Sequence, residues 1–217
     1  MLPSGDPLHD FPDRAIRSEL EERHNLRELI AEVLPDLVDR FDFDRLEPVP
    51  NTFLLDDWRK RESDMLFRLP FRAGEELPAA LVCLLIEHQS EADPWMPLRI
   101  LVYAVLYWER EGKAWEAQLP RPAGFRLSPV VPIVVHTGTP PWKTHRVLAD
   151  LIGGPEELRA FAPRWEPLFW DLAEEETQAL LARAGEWLAA LAVVRAEGEQ
   201  DSAAYQQVFT AVLERLQ

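Results

Sequence analysis

Hydrophobic and polar positions follow several periods in succession along the chain. Leu26, Leu29, Ile30, Val33 and Leu34 recur at three- and four-residue spacing, the period of an amphipathic helix. The helical pattern runs from Pro12 to about Asp39, with Asn25 as a candidate cap, and FDFDRLEPVP breaks it. Alternation follows. In SDMLFRLPF, Met65, Phe67, Leu69 and Phe71 fall on one face and Asp64, Leu66 and Arg68 on the other, the period of a strand. A short strand is expected before it at TFLLD and a turn after it at RAGEELP. ALVCLLIEH, beginning at Ala80, is then apolar almost throughout, as a central strand covered on both faces is.

Helical spacing returns in DPWMPLRILVYAVLYWERE. Pro94 and Pro97 suit a helix start, and Leu98, Leu101, Val102, Val105 and Trp108 form its expected apolar face. PVVPIVVHTG reads as another buried strand ending in a turn, WKTHRVLADLI and PEELRAFA as short helices, and WEPLFWDL as a strand or an extended clamp. From about Glu174 two helices are expected, joined near AEGEQDS. The order is α, β, β, β, α, β and a helical tail, which predicts an α/β fold with helices flanking one mixed central sheet. Residues 1–12 are expected to be a loose lead-in, 13–145 the core, and 146–217 a mostly helical extension packed on it.

Composition narrows the class. The chain has 217 residues, 47% of them hydrophobic and 28% charged, which suits one soluble domain with a substantial core. Its apolar runs are too short to cross a membrane. MLPSGDPLHDF has no basic segment followed by an apolar one, so no secretory signal is expected. A single cysteine, Cys83, cannot form an intrachain disulfide. These features predict a cytoplasmic protein without membrane partners. The net charge of −15 opposes nonspecific binding to nucleic acid, which depends on neutralising phosphates, but leaves room for a local basic patch.

One stretch raises a chemical question. The apolar run ALVCLLIEHQS ends in Glu87 and Gln89, two residues apart and so on one face of a strand. Either the strand runs out into water or it delivers two polar groups into a site. Asp64 opens the preceding strand, and a hairpin would bring it to the same end of the sheet as Glu87. Two carboxylates that meet there repel unless a proton or cation lies between them, and a hard cation such as Mg²⁺ takes such oxygens.

RKRESDMLFRL, LLIEHQSEADPWMPLRILVYAVLYWER and VVPIVVHTGTPPW together resemble the Rpn family of recombination-promoting nucleases, described also as transposase-like, within the PD-(D/E)XK nuclease superfamily. The resemblance spans about residues 25–145. It implies an αβββαβ core and Mg²⁺-dependent DNA endonuclease activity, with Mn²⁺ as an alternative cofactor. It further implies metal ligation by Asp64 and Glu87 and places Gln89 where the wider superfamily has lysine. A glutamine can only donate and accept hydrogen bonds, so the chemistry would lean more on the metal. The backbone carbonyl of His88 is a candidate third metal oxygen.

Further candidates have a structural reading beside the functional one. Arg59, Lys60 and Arg61 are candidate phosphate contacts or a solvated turn. Glu28 and Glu32 are candidate accessory carboxylates or the wet face of the first helix. Arg99 and Tyr103 line a cleft or pack. His136 ends its strand as a ligand or as a structural hydrogen-bonding group, the second being favoured. Most Trp residues are expected in the core. Two functions follow: a DNA-cutting enzyme, or a non-catalytic interaction module on the same fold. The resemblance carries DNA as partner and leaves a homo-oligomer open.

Overall fold

A computed structural model describes residues 16, 18–50, 64–72, 79–87, 92–120, 123–138, 140–183, 186–198 and 202–215, with backbone only for residues 64, 79–87, 186, 197–198, 202, 204 and 215. Among the described residues five strands form one sheet in the order β1 (Glu47–Pro48), β2 (Asp64–Pro70), β3 (Ala79–Glu87), β4 (Val130–His136) and β5 (Leu168–Asp171). β1, β2 and β3 pair antiparallel, whereas β3, β4 and β5 run parallel. A parallel pair requires a crossover, and the helix α2 (Met96–Glu116) lies between β3 and β4 in the chain. The fold is therefore mixed α/β.

Strand alternation assigns the two faces. On one, Met65, Phe67, Leu69, Ile133, Val135 and Trp170 share a core with Leu26, Leu29 and Ile30 of α1 (Arg23–Val33). Trp187, Leu188 and Leu191 of α5 (Glu186–Gly198) join that core. On the other face Leu66 and Val134 pack with Met96, Ile100, Tyr103 and Tyr107 of α2 and with Trp142. Ile133, Val134 and Val135 are consecutive and all fully buried. The apolar run in β4 thus reflects cover on both faces.

Several expectations need correction. The buried side of α2 is Met96, Arg99, Ile100, Tyr103, Ala104 and Tyr107. Val105, placed by spacing on the core face, is 50% exposed, and Leu98, Leu101, Val102 and Trp108 are only half-buried. Apolar residues surround much of this helix, so its stripe is ambiguous by period alone, and Tyr107 buries its ring while its hydroxyl donates to Glu111. Arg99 enters the buried side because Asp93 Oδ2 lies 2.6 Å from its Nη1. Asn25 is no cap either: it is buried inside α1 and donates to the carbonyl of Glu19 at 2.8 Å, and the capping position belongs to Glu22.

WKTHRVLADLI yields a 3₁₀ turn at Leu148–Leu151, and PEELRAFA yields the short helix α3 (Glu156–Arg159). Among the described residues the tail holds three helices, not two: α4 (Thr177–Ala182), α5 and α6 (Ser202–Arg215). WEPLFWDL supplies β5, which joins the sheet beside β4. TFLLD and residues 1–12 lie outside the described residues. Among the described residues no helix is long and apolar enough to cross a membrane.

Candidate functional site

Register brings four chemistry-bearing positions to one end of the sheet. Asp64 pairs with Leu85 across the antiparallel β2–β3 ladder, and position 87 is two residues further along β3. Directly paired residues share a face, as do residues two apart in a strand. Positions 64 and 87 are therefore diagonal neighbours on one face, about 7–8 Å apart at the backbone. Glu87 in turn pairs with His136 on β4, and His136 with Asp171 on β5. The row 87–136–171 crosses three adjacent strands on the α2 side of the sheet, the side of Leu66 and Val134.

His136 and Asp171 form a buried pair, with side chains at most 1% exposed. His136 Nδ1 lies 2.9 Å from Asp171 Oδ1. A carboxylate only accepts, so Nδ1 is the donor. Asp171 also accepts from the backbone N–H of Trp142 at 2.7 Å through Oδ2, and from that of Ala173 at 3.1 Å through Oδ1. Burial raises the carboxyl pKa, but the His136 hydrogen bond, the two backbone donors and the His136 charge outweigh it. The net effect is below the ordinary value. Trp142 meets the imidazole edge-on, with ring centroids 5.2 Å apart. The imidazole is thus held on one edge by Asp171 and packed by an indole. Its other nitrogen, Nε2, is buried and has no hydrogen-bond partner among the described residues.

The remaining candidates fall elsewhere. Glu28 and Glu32 lie on α1, whose buried face packs on the opposite side of the sheet. Glu28 Oε1 is 3.0 Å from His24 Nε2, and Glu32 Oε2 is 3.3 Å from Arg183 Nη1, so both carboxylates have local partners. Arg99 is buried against Asp93. Tyr103 is buried in the α2-side core. Arg59, Lys60, Arg61, His88 and Gln89 lie outside the described residues, as do the side chains of Asp64 and Glu87. Among the described residues no three His, Cys, Asp or Glu side chains gather as a metal site.

Sequence reading missed Asp171. A usable signal was present: β5, like β3 and β4, is an apolar strand that closes on a polar residue. Three parallel neighbours with that ending put their polar residues in one row.

A family model described as "Putative transposase, YhgA-like" matches residues 10–217. No solved structure matches the chain.

Proposed function

Because the chain belongs to the YhgA-like transposase family, we propose that it serves transposition or recombination as a metal-dependent DNA endonuclease on a PD-(D/E)XK core. The order α1-β1-β2-β3-α2-β4, antiparallel to β3 and parallel from β3 to β4, supports that core. The observation that carries the activity is the sharing of one sheet face, at one end, by Asp64 and Glu87. Two carboxylate-bearing positions so placed suit a hard divalent cation, Mg²⁺ or Mn²⁺.

Asp64 and Glu87 are the proposed ligands, with the His88 carbonyl as a third oxygen. When bound, such an ion lowers the pKa of water and offsets charge on the scissile phosphate. Gln89 orients water or a phosphate oxygen by hydrogen bonding, without the charge of a lysine. Arg59, Lys60 and Arg61 offer the cations that an acidic protein needs close to DNA phosphates.

A plasmid-nicking assay tests the proposal. Wild type is expected to nick DNA in Mg²⁺ or Mn²⁺ and to stop in chelator. Asp64→Asn and Glu87→Gln, folded by circular dichroism, should fall to the level of chelated wild type. Wild-type cleavage rates in both variants would sink the proposal. The net charge of −15 favours a second reading, a non-catalytic interaction module. A wild type that binds no divalent cation by calorimetry and leaves DNA intact would establish that reading instead.

A further inference from the structure

The pair His136–Asp171 is more completely built than a strand-end hydrogen bond requires. Both side chains are withdrawn from water. Asp171 spends both oxygens on three N–H donors, the imidazole among them, so it has little freedom to turn. The imidazole is consequently fixed in rotation and in tautomer, with the lone pair of the neutral ring on Nε2. Among the described residues nothing satisfies that atom, and a buried polar atom left without a partner is costly.

Direction follows from the sheet. Nδ1 faces β5, which flanks β4 on one side, while β3 flanks it on the other. The two ring nitrogens point to nearly opposite sides of an imidazole, so Nε2 faces away from β5. The register neighbour of His136 on the β3 side is Glu87. A carboxylate that fixes one nitrogen of a histidine whose other nitrogen is free is the arrangement that orients histidine metal ligands.

We propose that His136 is a nitrogen ligand of a divalent cation shared with Glu87 and Asp64, and that Asp171 is the positioning residue that aims it. This rests on the metal-site reading above and sharpens it. A mixed oxygen and nitrogen donor set is better suited to a transition-metal ion than to Mg²⁺, which is best served by oxygens. The site should therefore discriminate for Mn²⁺ over Mg²⁺ through His136.

Calorimetry with Mn²⁺ and with Mg²⁺, on wild type and on His136→Asn, Asp171→Asn and Glu87→Gln, tests this. Asparagine at 136 keeps a donor near the Nδ1 position and removes Nε2. Mn²⁺ affinity is expected to fall about 10- to 100-fold in His136→Asn and in Asp171→Asn, with a much smaller change for Mg²⁺. The Mn²⁺-to-Mg²⁺ ratio is the readout that a purely architectural pair would not move. Pulsed electron paramagnetic resonance of Mn²⁺-loaded wild type should also detect coordinated imidazole nitrogen. That signal should survive His88→Asn, so the test stands even if position 136 tolerates no replacement. An unchanged metal ratio in a folded His136→Asn, or no imidazole coupling in wild type, overturns the proposal. If Glu87→Gln still abolishes binding in that case, the carboxylate site stands without the histidine. A wild type that binds neither ion overturns both.

Discussion

Glu87, His136 and Asp171 each close an apolar strand, and pairing in register makes them neighbours on one face. The diagonal position of Asp64 adds a second carboxylate beside Glu87. In the proposed site, like charges at these two positions would oppose one another until a cation bound. Asp64→Asn is accordingly expected to melt at or above the wild-type temperature in chelator. In excess Mg²⁺ the order should narrow or reverse, because only wild type gains the binding term RT ln(1 + [L]/Kd), about 2.7 kcal/mol at a hundredfold excess over Kd. Thermal melts under both conditions check this, and an equal destabilisation in each would mean that Asp64 is architectural. Tyr107 gives a second test. It is 2% exposed, and its hydroxyl donates to Glu111 Oε1 at 3.0 Å. Burial raises its pKa, the Arg68 hydrogen bond opposes, and Glu111 reinforces the rise, so the folded value lies above the ordinary 10.0. A proton held more tightly in the folded chain stabilises it fully below the unfolded pKa, and that contribution is lost as pH rises through the folded value. Urea midpoints should therefore fall above about pH 10, and less steeply in Tyr107→Phe.

At the scale of the element, α2 shows why the period of a helix does not settle its orientation. Both stripes are apolar enough to bury, and the one chosen is that of Ile100, Tyr103, Ala104 and Tyr107. The consequence is measurable. Ile100→Ala empties a fully buried site and is expected to cost about 2–5 kcal/mol. Val105→Thr, on a half-exposed position, should stay within about 0.5 kcal/mol of wild type. Chemical denaturation of the two variants checks the assignment, and the reverse order would put the helix the other way round. The parallel strands β3 and β4 depend on this helix as their crossover, so its packing also fixes the row at the strand ends. Loss of the Ile100 side chain should loosen the proposed metal site as well as the fold.

For the whole molecule, the acidic total would limit how the proposed DNA substrate is held. A net charge of −15 allows few phosphate contacts, and each neutralised phosphate adds to the salt dependence of binding. DNA affinity is therefore expected to be weak without divalent metal and to change only shallowly with salt. Neutral replacement of Arg59, Lys60 and Arg61 together should weaken binding, as read by fluorescence anisotropy across a salt series. Unchanged binding would return that segment to the role of a solvated turn.

Local pattern alone determined much of this architecture. β2, β3, β4 and α2 stand close to where alternation, continuous apolar runs and helical spacing put them, because those signals belong to single elements. The candidacy of Asp64 and Glu87 was legible for the same reason: a polar residue that opens or closes an apolar strand stands out in one dimension. Tertiary structure decided what depends on two elements at once. Which stripe of α2 is buried, the entry of Arg99 into the core beside Asp93, and the burial of Asn25 inside α1 turn on what lies opposite. The pairing of His136 with Asp171, 35 residues apart, is of the same kind. Strand endings mark each residue singly, but sequence spacing does not pair them, because parallel register between separate strands is set by the packing of the helix and loops that connect them.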